Sequence, residues 1–397
     1  MKILLYLAVL GLLPLSLAAQ SAEHFYQEGS FYFDAEDYPR AVDRWQAGTR
    51  VAPGAARLWF NLALAQLELD RHAEAAASLR TLLTITPDDV QAYLLLGSAY
   101  DGMGQYLYAA DAFTESYRLQ PEAATLLLRG SVYHKAEEYG LAELDYRTVL
   151  NEDPEHPVAH AGLGDVAAAR KDWKQAIYHY DDALSLDPED ALTLYRRGRV
   201  KMEVGYYDTA IFDLSNAIAI DPYVDHYYAG RALCRLEIAD PYGADIDARR
   251  ARRYNPDNAD AWFALGKLAT QEDDYYAAAN GFNMALQIQD DNARYRYARG
   301  RFYHSIAAYL PAAKDFRVAS ALDPELEEID KWIARAEGAH HAATATPAAV
   351  PEAPVEEEIY PAPATAAAPT WTSPARRAVP AEREGTAIDG WMLQPEE

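Results

Sequence analysis

Cysteine is almost missing from this chain. Of 397 residues only Cys234 carries a thiol, so no disulfide can form within it. Disulfides chiefly serve chains too small to build a core, and here half the residues are apolar, so packing alone can hold the fold. Basic residues are also scarce. Lysine and arginine number 36 against 61 acidic residues, a net charge of −25. Such a balance argues against a nucleic-acid backbone or an anionic membrane surface as main partner. Sequences that announce chemistry are lacking as well: there is no P-loop, no HExxH and no GxSxG. No catalytic, cofactor-binding or metal-binding residue is therefore expected, and an enzymatic role is not.

Long apolar runs are confined to the start. Lys2 is the only early charge, and Ile3 to Leu17 is apolar apart from Gly11, Pro14 and Ser16. Ala18 and Ala19 follow. This order describes a secretory signal peptide over 1–19, with cleavage expected between Ala19 and Gln20. The run is shorter than the roughly 20 residues a membrane-spanning helix needs, and it contains a proline. No cysteine lies nearby for lipid attachment, and no later segment is apolar enough to span a bilayer. The expected location is the periplasm or exterior of a bacterium.

What the chain does have is a beat. Prolines stand at Pro53, Pro87, Pro121, Pro154, Pro188, Pro222, Pro256 and Pro324, in steps of 34 with one of 33; the last gap is 68, with Asp290 midway. Twelve residues before each beat is an alanine: Ala41, Ala75, Ala109, Ala142, Ala176, Ala210, Ala244, Ala278 and Ala312. Eight before it stands a large residue, from Trp45 through Phe113 and Tyr180 to Phe316, with Ala248 as the exception. Early in each unit is a small residue: Gly29, Ala63, Gly97, Gly130, Gly164, Gly198, Ala232, Gly266 and Gly300. Apolar positions fall at helical spacing on two stretches per unit, so each unit reads as a helix pair. Small positions allow close approach, large ones fill the space, and proline ends one unit and opens the next. Asp240-Pro241 reads as a capped helix start.

This pattern resembles the tetratricopeptide repeat family, over nine units spanning 22–324. The resemblance implies an all-α fold, a right-handed superhelix of helix pairs whose first helices line a concave groove. Residues 325–338 are expected to form a C-terminal capping helix. From 339 to 397 the chain is rich in proline and alanine and poor in bulky apolar residues, so this stretch is expected to be a disordered tail. Two islands interrupt it, Glu356-Glu357-Glu358-Ile359-Tyr360 and Ile388-Asp389-Gly390-Trp391-Met392-Leu393.

Several weaker signals have plain structural readings. Gly162 and Gly164 match a loose dinucleotide fingerprint but sit in a helix-packing position, not a loop after a strand. His156 and His160 flank Pro157 at a unit junction, with no third ligand evident. Cys234 occupies a position filled elsewhere by valine, leucine or phenylalanine, so it reads as a small core residue. Tyr38, Tyr106, Tyr139, Tyr207, Tyr275 and Tyr309 share one position at the start of the second helix and read as packing residues.

In the family, the positions three before and one after the small residue face the groove. In units six, eight and nine they hold an aromatic and a cation: Tyr195 with Arg199, Phe263 with Lys267, Tyr297 with Arg301. The earlier units offer an apolar strip of Tyr26, Phe60, Leu64, Leu94 and Leu127. Two readings stand side by side. The strip could receive an extended or helical segment, apolar at one end and acidic at the other. Alternatively each pair only stabilises its own helix. The chain then reads as a protein-binding scaffold or adaptor that takes a protein or peptide partner. A chaperone-like holdase, or an adaptor regulated by its own acidic tail, are the alternatives.

Overall fold

The structure is a computed structural model that describes residues 22–326 and 328–345. The expected signal peptide and most of the expected tail lie outside these residues. Among the described residues there are nineteen helices and no strand. The first, α1, covers 22–34. There follow α2 (Tyr38–Val51), α3 (Ala56–Glu68), α4 (His72–Ile85), α5 (Val90–Gly102), α6 (Tyr106–Leu119), α7 (Ala123–Lys135), α8 (Tyr139–Glu152) and α9 (Pro157–Ala169). Then come α10 (Trp173–Leu186), α11 (Ala191–Glu203), α12 (Tyr207–Ile220), α13 (Asp225–Glu237), α14 (Pro241–Tyr254), α15 (Ala259–Gln271), α16 (Tyr275–Ile288), α17 (Ala293–Ser305), α18 (Tyr309–Leu322) and α19 (Ile329–Ala345). Successive pairs make nine helical hairpins, one per sequence unit. The chain forms two compact units, divided after Gln175.

The repeated positions meet inside each hairpin. All nine alanines, from Ala41 to Ala312, are fully buried. The small residue on the first helix faces the large residue on the second. A Cβ added at Gly29 would come within 2.2 Å of Trp45, at Gly97 within 2.4 Å of Phe113, and at Gly300 within 2.7 Å of Phe316. Size is traded across the pair. Where the first helix has Ala63 the second has Leu79, and where it has Ala232 the second has Ala248, so the exception in unit seven is the shortest pair. Filling this contact without a void is what fixes the distance between the two helices.

The turn between the two helices of a hairpin also repeats. Two residues before each second helix the backbone is left-handed: Glu36, Asp70, Gly104, Glu137, Lys171, Gly205, Ala239, Asp273 and Ala307. The next residue but one-turn-back bond is constant too, as in Asp37 N–H to the Tyr32 carbonyl and Ala308 N–H to the Tyr303 carbonyl. This is a Schellman closure, which satisfies the last carbonyls of the first helix. Only two of the nine positions carry the glycine that the geometry favours.

Buried ion pairs were not foreseen from the sequence. In repeats four, six, seven and nine an arginine just before the small position grips an aspartate just before the large one. Arg129 holds Asp145 at 2.8 and 2.7 Å, and Arg197 holds Asp213 at 2.9 and 2.6 Å. Arg231 holds Asp247 at 2.8 and 2.8 Å, and Arg299 holds Asp315 at 2.7 and 2.8 Å. The remaining guanidinium nitrogen reaches the second helix of the preceding repeat, at Thr114, Asp181, Ser215 and Asn283 respectively. Each arginine thus ties three helices. Lys201 adds a second cation to Asp213 and Arg235 adds one to Asp247.

The cap is where the sequence places it, with shifted ends. Helix α19 buries Ile329 and Ala336, and Trp332 stacks on Phe316 at 5.7 Å between ring centroids. It runs on to Ala345, so residues 339–345, assigned to the tail on composition, are helical. The alanines there are strong helix formers and extend the cap at little entropic cost. Asp240 caps α14 as expected, accepting from the Gly243 N–H at 2.9 Å. Among the shared tyrosines, Tyr275 departs from its reading: it is 51% exposed.

Two outcomes follow. Asp213→Ala leaves Lys201 without a counter-charge and Arg197 with only the half-exposed Asp181, and should cost about 3 kcal/mol in urea denaturation; replacing Arg197, Lys201 and Asp213 together by apolar residues should recover most of it. A loss below about 1 kcal/mol for the single change would refute the tie. Ala239→Gly and Ala307→Gly should each raise stability by about 0.5–1 kcal/mol, because glycine adopts the left-handed conformation without a Cβ penalty.

Candidate functional site

The second compact unit contains a concavity. It is a cavity of about 350 Å³ on one face of α11, α13, α15 and α17, the first helices of four successive repeats. Its floor is apolar: Leu233 and Phe263, each 1% exposed, with Met202 and Ala298. Its rim is charged, with Lys267, Arg294 and Arg301 against Glu203 and Glu237, and Tyr207 and Tyr297 between.

The cations differ in how they are held. Lys267 pairs with Glu237 at 2.5 Å and lies 5.9 Å from the Phe263 ring centroid. Arg294 lies 5.4 Å from the centroid of the same ring. Arg301 does not turn to Tyr297, its helix neighbour; it stacks on Trp332 of the cap at 5.2 Å. Arg199, one repeat-turn further along the face, lies over Tyr195 at 5.9 Å. Among the described residues, Arg199, Arg294 and Arg301 form no ion pair with a carboxylate. All three are exposed. Deeper in the wall, Tyr295 donates to Asp260 at 2.7 Å, and burial together with that carboxylate pushes the phenol far above its usual range.

Behind the cavity, α15 and α16 meet closely. In repeat eight the position that carries aspartate in the tied repeats is Gly281. A Cβ there would meet the Gly266 backbone at 2.6 Å, so α15 and α16 touch backbone to backbone. Helix α15, which carries Phe263 and Lys267, is drawn against α16 accordingly.

Of the positions singled out in the sequence, Phe263, Lys267, Tyr297 and Arg301 line this cavity. Tyr195 and Arg199 lie on the same series of helices outside its lining, with Tyr195 packed on Tyr227 at 5.2 Å. The apolar strip belongs to the first compact unit. There Phe60, Leu64, Leu94 and Leu127 are half-buried against the hairpin cores, and Tyr26 is covered by Arg57 at 3.4 Å. Arg294, Glu203 and Glu237 escaped the sequence reading. They sit one helical turn before or after the positions considered there, so a three-turn window on the same face would have found them.

The weaker signals resolve into packing, except that His160 gathers with His179 and Asp182, their ligand atoms within 4.8 Å of one another, a third partner that the sequence did not show. Gly162 and Gly164 are buried within α9. His156 precedes that helix as its N-cap residue, and the His160 ring bonds the Pro154 carbonyl at 3.0 Å. Cys234 is fully buried, and burial pushes its thiol up to about 12, so it is protonated and inert at neutral pH. Among the described residues no helix is long and apolar enough to cross a membrane.

Known proteins share this architecture. The tetratricopeptide repeat family model matches residues 26–90, 94–157, 127–191 and 247–293, more than half the chain. Superkiller protein 3 of Schizosaccharomyces pombe is 26% identical over 219 residues, covering 51% of this chain and 16% of that protein. The Hsp70-Hsp90 organizing protein of Triticum aestivum is 25% identical over 198 residues, 41% of this chain and 34% of its own length. The chain therefore spans about a third or less of these curated relatives. A tetratricopeptide repeat protein from Parabacteroides merdae superposes with a TM-score of 0.55 at 19% identity, over 63% of this chain and 99% of that one. The APC/C hetero-tetramer Cut9-Hcn1 gives 0.55 at 20% identity, over 75% and 59%. With nine hairpins in phase and a family match along most of their length, this chain belongs to the tetratricopeptide repeat family.

Proposed function

We propose that this protein is an exported scaffold of the bacterial envelope or exterior, without catalytic activity, and that repeats six to nine hold a partner through the cavity face. The observation that carries the reading is the set of three guanidiniums, Arg199, Arg294 and Arg301, left without carboxylate partners in a chain of net charge −25. Many of the other arginines are engaged in ion pairs, the four buried ties among them, whereas these three share one face. Cations held over aromatic rings beside an apolar floor suit a segment that presents carboxylates next to an aromatic or aliphatic side chain. The distant acidic surface does not oppose this strongly, because at physiological salt charges beyond about 8 Å are screened. The relatives, a superkiller protein and an Hsp70-Hsp90 organizing protein, are in keeping with a role in assembly. Export rests on the pattern of residues 1–19.

A photo-crosslinking residue in place of Tyr297, in the full chain, tests the site in the envelope fraction. One dominant adduct is expected, lost in the Arg294→Ala/Arg301→Ala variant while helicity by circular dichroism is kept. An undiminished adduct in that variant would exclude this face, and a broad spread of adducts would favour the holdase. N-terminal sequencing of the protein recovered from cells should begin at Gln20; a retained Met1 would remove the case for a cleaved signal.

A further inference from the structure

The cavity lies close to the point where the described chain leaves the array. Trp332, on the first turn of α19, is the surface on which Arg301 stacks, so the cap forms one edge of the site. Helix α19 then carries the chain to Ala345. From Trp332 to Ala345 the helix rises about 20 Å. The eleven residues that follow, up to Glu356, span up to about 36–40 Å when extended. The chain can therefore return along the whole of α19 and past its start.

The residues that arrive there match the site in kind and order. Glu356, Glu357 and Glu358 present three carboxylates, and Ile359 and Tyr360 follow directly with an aliphatic and an aromatic group. The cavity offers Arg294 and Arg301 on its rim and Leu233, Phe263 and Met202 beneath them. Lys267 is engaged by Glu237, which leaves the two arginines as the cations open to an incoming carboxylate.

We propose that the occupant of this cavity in the resting chain is its own segment 356–360, with the glutamates on Arg294 and Arg301 and Ile359 and Tyr360 over the apolar floor. The inference rests on the cavity face being the docking site, and adds that an external partner must displace this segment. Tethering by so short a linker gives an effective concentration in the millimolar range, so even a weak internal contact competes with a free ligand.

A fluorescent peptide of residues 352–364 serves as the probe, titrated into the full chain and followed by anisotropy. The unaltered chain should bind it poorly. The Glu356→Lys/Glu357→Lys/Glu358→Lys chain, whose own segment can no longer dock, should bind it about tenfold more tightly, the gain expected on releasing a competitor of about 0.1 mM dissociation constant held at an effective concentration of about 1 mM. Adding Arg294→Glu/Arg301→Glu to that variant should abolish the gain. Equal affinity of the first two chains would overturn the proposal, as would a gain that survives the arginine changes. Neither result bears on the crosslinking experiment, so a groove that takes an external partner but not the tail would be recognised as such.

Discussion

Everything in this array hangs on how near the two helices of a hairpin can come. The distance is set where a glycine or alanine on one helix meets a bulky residue on the other, with a fully buried alanine one turn before it. Glycine opposite tryptophan, phenylalanine or tyrosine, and alanine opposite leucine or another alanine, close the contact by different means. In the second compact unit the hairpins stack in turn, and α11, α13, α15 and α17 stand in line along one face. The cavity is a property of that line. No single repeat contains it, and its walls come from four successive first helices.

The arginine ties add direction to this packing. Hydrophobic contact is tolerant of small rotations, whereas a two-point guanidinium–carboxylate grip is not. Each of the four arginines fixes its own hairpin and the second helix before it, so rotation of one helix is resisted from two sides. Repeat eight has no such tie and packs backbone to backbone instead. The three arginines of the cavity face are the same residue type put to a different use: they lie over aromatic rings, with Glu203 and Asp260 near Arg199 but in no ion pair with it.

Much of this was legible in the sequence because it repeats. The nine alanines, the nine small positions, the large positions with their one exception at Ala248 and the proline beat broken only at Asp290 each carried one physical role from unit to unit, and together they fixed the number, length and pairing of the helices. Phe263, Lys267, Tyr297 and Arg301 were legible for the same reason, once the groove face was indexed. What escaped was what depends on neighbours in space. The Arg129–Asp145 type of tie joins residues sixteen apart that read singly as surface charges. The left-handed turn at Ala239 or Lys171 has no glycine to mark it. Tyr275 shares its position with packed tyrosines yet stands in solvent, and Arg301 chose Trp332 of the cap over Tyr297 on its own helix. The helical continuation through 339–345 was hidden because an alanine-rich composition suits both a helix and an unstructured linker.

Gly281 shows how a binding surface can be shaped from behind. The absence of a side chain there lets α15 lie against α16 backbone to backbone, and the far side of α15 carries Phe263 and Lys267 into the lining. Any larger residue at 281 would have to push the two helices apart and carry those two side chains with them. The contour that a guest would meet is thus tied to a position outside the lining.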